Sequence, residues 1–194
     1  MSEWHEIPEL TGDLLRLEPL EPRHAEGLLA ASDDDEVFTW QLFHRPTTLL
    51  EAEKLIELYR SRANTLAWAQ IDQRTHEVAG LTTYYDIDPS RRTVAIGATW
   101  LGRRFWRTGI NTEAKLLLLR RAFDDLGCAR VVWHVDIKNE RSQAAVARIG
   151  GVREGVLRKH IIRRDGSWRD TVLFSMIDDE WPAARQALEA RLQR

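Results

Sequence analysis

Three arginines and one glycine precede an amphipathic segment in "RRFWRTGINTEAKLLLLRRAF", residues 103–123. A helix that begins here presents backbone N–H groups without intrahelical acceptors and the positive end of its dipole. Glycine lets the chain approach a ligand closely, and arginine adds charge-assisted hydrogen bonds. The segment therefore predicts a binding site for an anion such as a phosphate. The alternative is an ordinary helix start with solvated arginines.

A second group of polar residues lies in "DIKNERSQAAVARIGG", residues 136–151. Asn139 occupies the position before a helix, where its side chain can accept a hydrogen bond from the first turn. Ser142 follows within that turn, and its hydroxyl can face a ligand or satisfy a nearby backbone group. Capping alone explains Asn139 as well as a binding role does.

Alternating strand and helix patterns must position these residues. The strand-like segments are 14–20, 65–72, 77–86, 93–101, 129–136 and a pair around "RRDGSW", where Asp165-Gly166 indicates a hairpin. Five helices are predicted: from residue 21 into an acidic loop, over 48–63, up to Gly127, over 139–149, and after Pro182. The second helix places Leu49, Ala52, Leu55, Ile56 and Tyr59 on one face. In the third helix, apolar residues recur at helical spacing at Leu116, Leu119, Phe123 and Leu126. The order β-α-α-β-β-β-α-β-α-β-β-α predicts one α+β domain over residues 1–194.

Composition narrows the function. The 28 Lys and Arg residues are balanced by 30 Asp and Glu residues, and the net charge of −2 argues against a nucleic-acid or membrane-surface partner. Cys128 is the single cysteine and is expected to be a small buried apolar residue. No apolar stretch approaches the roughly 18 residues of a membrane span, so we expect a cytoplasmic protein.

Two common phosphate-binding motifs do not fit the segment. Gly109 stands alone where a dinucleotide fold needs three spaced glycines, and the preceding strands form a meander rather than βαβ units. The Gly-Lys-Ser/Thr ending of a P-loop is also missing from this sequence.

The stretch from "IGATWLGRRFWRTG" to "ARIGGVREGVLR" resembles the core of the GNAT acetyltransferase superfamily, in its RimJ/RimL-type branch. The resemblance is strongest over residues 93–178, and the order of elements fits residues 11–194. It implies a single-domain fold with a mixed, mostly antiparallel central sheet that is splayed between its fourth and fifth strands and flanked by helices. Acetyl-CoA, the co-substrate, would lie in the gap, and the chemistry needs no metal.

The resemblance also implies roles for individual residues. Trp100 and Leu101 would contact the pantetheine arm through their backbones, Asn139 would orient the cofactor, and Ser142 would contact the cofactor and act as the general acid. The loop that lines the pyrophosphate would comprise Arg107, Thr108, Gly109, Ile110, Asn111 and Thr112.

Three residues depart from the family pattern. Trp106 and Asn111 fall on defined positions of its phosphate loop, and Asn111 would either narrow the approach to the phosphates or cap the helix. Val146 replaces a tyrosine that serves as the general acid in many members of the superfamily. These departures keep open a non-catalytic CoA-binding sensor or scaffold as the alternative function.

The implied reaction is direct transfer of the acetyl group to a primary amine, which is a protein or peptide N-terminus or a small amine. The amine must lose a proton, and His44, His134, Asp136 and His160 can accept one. Each is explained better by a structural or exposed position, so no base is assigned. The acidic run 33–36 would attract a cationic acceptor or form a solvated loop. The family also suggests a homodimer.

Overall fold

The computed structural model describes residues 3–193, and these residues form one eight-stranded sheet flanked by five α-helices. The strands are β1 Leu10–Thr11, β2 Leu15–Pro19, β3 Leu66–Asp72, β4 Val78–Asp88, β5 Thr93–Leu101, β6 Arg130–Asp136, β7 Val152–Ile162 and β8 Trp168–Ile177. Their order across the sheet is β1-β2-β3-β4-β5-β6-β8-β7. The short β1 is the one strand of this sheet that the sequence patterns did not predict.

Strands β5 and β6 form the parallel pair of an otherwise antiparallel sheet. Their ladder joins Thr93 to Arg130, Val94 to Val131 and Ala95 to Val132, and no further pair follows along either strand. Because β5 continues to Leu101 and β6 to Asp136, the two strands diverge toward their carboxyl ends. The predicted α+β fold, with a splay between the fourth and fifth predicted strands, is confirmed.

The helices divide between the two faces of the sheet. Their bounds are α1 Ala25–Ala31, α2 Leu49–Ser61, α3 Ile110–Arg120, α4 Glu140–Arg148 and α5 Trp181–Leu192. Buried residues of α1 and α2 share one apolar cluster with Leu81 and Trp100. Those of α3, α4 and α5 share a second cluster with Tyr84 and Trp133. We call these sides the α1/α2 face and the α3 face.

A local sequence signal explains the start of helix α2. Thr48 caps α2, and its hydroxyl accepts a hydrogen bond from Glu51 N while the Glu51 carboxylate accepts one from Thr48 N. Leu49 was predicted on the buried face of α2, but it is 40% exposed. It is the first helical residue and lies beyond the core that buries Ala52 and Leu55.

The helix predicted to end at Gly127 does end there, but its last turn is wider than an α-helix. Residues Arg121–Asp125 form a π-helical turn, in which Leu126 N donates to Arg121 O at 3.0 Å. Gly127 then takes the left-handed conformation with φ +62°.

Among residues 3–193, no helix is long and apolar enough to cross a membrane.

Candidate active site

The divergence of β5 and β6 opens a space beyond Ala95 and Val132, which we call the slot. A β-bulge interrupts β5 at the start of the slot, since Leu81 pairs with Trp100 and Thr83 with Gly97, and Ala98 has a φ of +46°. A bulge re-aims backbone groups and ends regular pairing. The irregular part of β5 therefore coincides with the opening.

Backbone groups of β5 face alternately toward β4 and toward the slot. The carbonyl of Trp100 lies on the β4 side, where it accepts a hydrogen bond from Gln70 Nε2 at 3.1 Å. This carbonyl is therefore hydrogen-bonded within the sheet. Thr99 O instead accepts from Gln41 Nε2 at 3.3 Å, and Leu101 O from Trp106 Nε1 at 2.8 Å. The carbonyls of Thr99 and Leu101 thus accept hydrogen bonds from side chains instead of from a neighbouring strand.

The start of α3 has the geometry of an anion-binding loop. Gly109 is the N-cap residue and offers no side-chain cap, so the next N–H groups depend on other acceptors. Thr108 Oγ1 accepts a hydrogen bond from Ile110 N at 3.3 Å. The helix leaves the N–H groups of Asn111 and Thr112 without an intrahelical acceptor, and within residues 3–193 the Asn111 side chain makes no capping hydrogen bond.

The conformational reason for this loop differs from the one that the sequence suggested. Gly109 has an ordinary helical φ of −69°, whereas Arg107 has a φ of +60°. A Cβ at Gly109 would lie 2.5 Å from Leu14 Cδ1, the end of a flexible side chain that is 42% exposed, so neither φ nor packing requires glycine there. Arg107 carries the left-handed turn, which is the conformation that points successive N–H groups at an anion.

The three arginines of this segment have different surroundings. Arg103 Nη1 lies 2.8 Å from the Glu36 carboxylate, and Arg104 Nη2 lies 3.4 Å from that of Glu77. Arg107 is exposed and has no carboxylate partner among residues 3–193. Of the three, Arg107 is therefore the cation whose charge is not already balanced within the described chain.

The other wall of the slot ends at α4. Asn139 is the N-cap residue of this helix, and its Oδ1 accepts a hydrogen bond from Ser142 N at 3.0 Å. The Ser142 side chain is partly buried, and its hydroxyl makes no hydrogen bond within residues 3–193. Val146 is buried in the core cluster of the α3 face. The Ser142 hydroxyl is thus not hydrogen-bonded to any nearby backbone group of the described residues.

Trp106 links these two walls. Two guanidinium groups lie over its indole, with Arg103 Cζ 4.2 Å and Arg141 Cζ 3.6 Å from the ring centroid. Both arginines also approach Glu36, at 2.8 and 3.8 Å. The cation–π contacts and the shared carboxylate explain why tryptophan suits a position that departs from the family pattern.

The acidic run 33–36 is held by internal partners. Asp33 Oδ1 accepts from Arg103 N at 3.3 Å, Asp34 Oδ1 from Glu36 N at 2.8 Å, and Asp35 Oδ1 from Arg45 Nη1 at 3.1 Å. Glu36 contacts the two arginines on Trp106. These contacts hold the loop between α1 and α2 beside the slot. Because arginines pair with its carboxylates, the run is not an unbalanced acidic patch.

The hairpin of β7 and β8 contacts the same loop. Arg164 Nη2 donates to Phe38 O at 3.0 Å and its Nη1 to Phe43 O at 3.1 Å. Asp136, at the end of β6, accepts hydrogen bonds from Arg163 Nε and Nη2 at 2.7 and 2.9 Å. Burial is the largest single effect and would raise the pKa of Asp136, but the hydrogen bonds from Arg163 and Lys138 N and the charges of Arg163 and Arg169 together outweigh it and lower the pKa. Asp136 is therefore engaged in an ion pair and poorly suited to accept a proton.

Lys115 is a site residue that the sequence analysis did not identify. It is 7% exposed within α3, and its Nζ donates to Thr99 Oγ1 at 2.7 Å. Burial lowers the pKa of Lys115 to about 7, and no carboxylate pairs with it among residues 3–193. The available signal was one lysine inside an apolar run, four residues after Asn111 and so on the same helix face.

Cys128 has the structural role that the sequence predicted. It lies in the core of the α3 face, and burial raises the pKa of its thiol to about 12. A thiol with this pKa stays protonated and unreactive at neutral pH.

Within residues 3–193, no group of three or more His, Cys, Asp or Glu side chains converges to hold a metal ion.

The sheet order, the splay and the loop before α3 together define an acetyltransferase fold. Residues 15–152 match the acetyltransferase (GNAT) domain, and the chain belongs to this family. Members of the family transfer an acetyl group from acetyl-CoA to an amine acceptor.

Individual relatives agree with this assignment. A GCN5-related N-acetyltransferase from Brucella melitensis has a TM-score of 0.92 and 35% identity, over 96% of this chain and 86% of that one. The uncharacterized N-acetyltransferase YoaA of Bacillus subtilis is 25% identical over 88% of this chain and 97% of its own length. RimJ of Mycobacterium smegmatis, solved in complex with CoA-disulfide, shares the fold with a TM-score of 0.79 and 22% identity over 95% of this chain and 93% of that one.

Proposed function

We propose that residues 1–194 form one N-acetyltransferase domain of the RimJ/RimL type, which transfers the acetyl group of acetyl-CoA to a primary amine by direct attack. The acceptor is a protein or peptide N-terminus or a small amine. The observation that carries this proposal is that β5 and β6 diverge toward the end of the sheet from which α3 begins. A slot for an extended arm and a loop for a diphosphate are thereby adjacent.

The residues present fit the cofactor. Arg107, Thr108, Gly109, Ile110, Asn111 and Thr112 would hold the pyrophosphate through backbone N–H groups and one guanidinium. Leu101 and Thr99 would lie beside the pantetheine arm, since they belong to the part of β5 beyond its last pair with β6. Trp100 would contact the arm as part of the same strand, while its ring packs 5.0 Å from that of Phe38. Asn139 would hold the first turn of α4 in place beside the arm.

Thiol release from acetyl-CoA tests the reaction. A panel of N-terminal peptides and small amines is offered to the protein, and free thiol is measured against time with and without each amine. We expect at least one amine to accelerate release and to carry the acetyl group by mass spectrometry. The alternative of a non-catalytic CoA-binding sensor, which family membership does not favour, requires tight cofactor binding without amine-dependent release.

Reversing the charge at Arg107 is expected to weaken coenzyme A binding. Arg107→Glu places a carboxylate beside the proposed pyrophosphate, and the loss of affinity should be larger at low salt, where charges are less screened. Arg104→Glu is the matched control, since it makes the same charge change in the same segment at a residue paired with Glu77. Titration calorimetry should give about a tenfold weaker Kd for Arg107→Glu and a smaller change for the control. Equal affinities would remove Arg107 from the binding loop.

Ser142→Ala is expected to slow turnover while cofactor affinity holds. The hydroxyl would reprotonate the departing thiolate, and general acid catalysis contributes about 10²–10⁴-fold. Since a thiolate is a good leaving group, we expect a fall in kcat of about 10²-fold at saturating acetyl-CoA. Ser142→Thr, which keeps a hydroxyl, should retain part of the activity. A normal kcat in the alanine variant would leave Ser142 as a helix-start residue, and a change in Kd alone would make it a binding contact.

A further inference from the structure

Tyr85 and His134 form a hydrogen-bonded pair across strand β5. Tyr85 Oη lies 2.8 Å from His134 Nδ1, and the two residues belong to β4 and β6. A Cβ at Gly97 of β5 would lie 2.7 Å from Tyr85 Cε1. The absence of a side chain at Gly97 therefore lets the phenol ring cross the strand and reach the histidine.

This pair lies where the slot opens. Ala95 and Val132 are the last residues of β5 and β6 that pair, and Gly97 and His134 each follow two residues later. The β5 bulge at Ala98 comes immediately afterwards. Gly97 and His134 thus face each other across the first part of the slot.

The pair also lies on the face away from α3. Tyr84 and Trp133 are buried in the cluster of the α3 face, and side chains alternate along a strand. Tyr85 and His134 consequently project toward the α1/α2 face. The pyrophosphate loop lies at the start of α3, so an acceptor that approaches from the α1/α2 face meets this pair without crossing the cofactor.

The charged and titratable groups around His134 come from three strands. Asp86 lies on β4, His160 on β7 with its ring centroid 5.6 Å from that of His134, and Arg169 on β8, where its Nη2 donates to His134 O at 2.9 Å. Burial lowers the pKa of His134, Asp86 opposes this shift, and His160 and Arg169 add to it. The imidazole is therefore neutral at pH 7 and able to accept a proton. Burial raises the pKa of Tyr85, which keeps the phenol protonated.

We propose that His134 is the general base of the acetyl transfer and that Tyr85 is its positioning residue. This inference rests on the proposed function. In this assignment the proton of the neutral ring is on Nδ1 and is donated to Tyr85 Oη, so the Nε2 lone pair is available; within residues 3–193, Nε2 has no hydrogen-bond partner.

The proton and electron balance follows from this assignment. Nε2 takes one proton from the acceptor ammonium and later releases it to solvent. The amine lone pair forms the C–N bond at the thioester carbon, the C–S bond breaks, and its electron pair leaves on sulfur. After the attack, the nitrogen loses a second proton to become the amide, and the thiolate gains one proton to become the thiol, so the overall number of protons is conserved.

The test uses the full-length protein with acetyl-CoA and the best amine from the thiol-release panel. We expect His134→Gln to lower kcat/KM about 10²-fold at pH 7 and to remove the acidic limb of its pH profile, with coenzyme A affinity unchanged. Tyr85→Phe should give a smaller fall and a shifted limb. His160→Gln, the neighbouring histidine, is the matched control and should stay within about threefold of wild type.

Nitrogen-15 NMR of the wild-type imidazole gives a reading that does not depend on a variant folding. We expect His134 to be neutral at pH 7 with its proton on Nδ1. A protonated Nε2 with a bare Nδ1, or a cationic ring at pH 7, would overturn the proposal, as would a His134→Gln variant with unchanged kcat/KM and pH profile. A wild-type protein that binds acetyl-CoA but acetylates no amine would instead overturn the proposed function, and the base with it.

Discussion

Asp136→Ala is expected to lower the free energy of unfolding by about 3–5 kcal/mol, which is the typical cost of removing one partner from a buried ion pair. The Asp136 side chain is 4% exposed and accepts two hydrogen bonds from Arg163. It also lies 4.0 Å from the Arg169 guanidinium, whose side chain is 8% exposed. The alanine variant leaves Arg169 as a buried charge without a counterion.

Urea denaturation at pH 7 measures this effect. Asp165→Ala is the control, because Asp165 is an exposed carboxylate in the same hairpin that accepts a hydrogen bond from Ser167 N. We expect the control to cost about 1 kcal/mol or less. If the two variants lose the same stability, the Asp136 ion pair does not hold the hairpin onto β6.

The pKa of Asp136 is lowered on folding, so the contribution of this carboxylate to the free energy of unfolding is fully present at neutral pH and is lost as the pH falls through the folded pKa.

Lys115→Met is expected to stabilise the protein, and to do so more at pH 6 than at pH 9. The pKa of Lys115 is about 7 in the folded chain against 10.5 for an ordinary lysine. Between these values the unfolded state binds more protons than the folded state, so folding becomes more favourable as the pH rises. This group alone should make the wild type about 2–3 kcal/mol more stable at pH 9 than at pH 6. Methionine removes the buried charge and that dependence.

The comparison is made by chemical denaturation of both proteins at the two pH values. Lys54→Met serves as the control because Lys54 is an exposed lysine on helix α2. We expect its stability difference from wild type to be the same at pH 6 and pH 9. An equal difference for Lys115→Met at both pH values would show that the ammonium is solvated and that its pKa is ordinary. Thr99 keeps a hydrogen-bond partner in the variant, since its Oγ1 lies 2.8 Å from that of Thr82.

Short-range signals in the sequence predicted much of the fold. Asn139 caps α4 through a hydrogen bond to a residue three positions away, so its neighbours suffice to identify it. The hairpin at Asp165-Gly166 is equally local, and Gly166 has the left-handed φ of +80° that the dipeptide indicates. The site loop was found because a helix start, a glycine and arginines are consecutive.

Contacts between distant segments could not be found in this way. The partner of Asp136 is 27 residues away, and the partner of Tyr85 is 49 residues away on a strand that is not its neighbour in the sheet. Lys115 is unusual only because Thr99 and the core surround it, and the sequence carries no record of that burial. Arg107 takes a conformation typical of glycine, and a residue pattern would assign that conformation to Gly109.

The short ladder between β5 and β6 is the hinge between two halves of the sheet, since β5 stays paired with β4 as far as Leu101 and β6 with β8 as far as Asp136. It holds the strands together at Thr93–Ala95 and Arg130–Val132 only, while the arm of β5 from Ile96 to Leu101 extends about 20 Å. A rotation of about 5° at the ladder moves the end of such an arm by about 2 Å, against a distance of about 4.8 Å between neighbouring strands. Side chains packed around Ala95 and Val132 therefore affect the width of the slot at its far end, although they lie outside it.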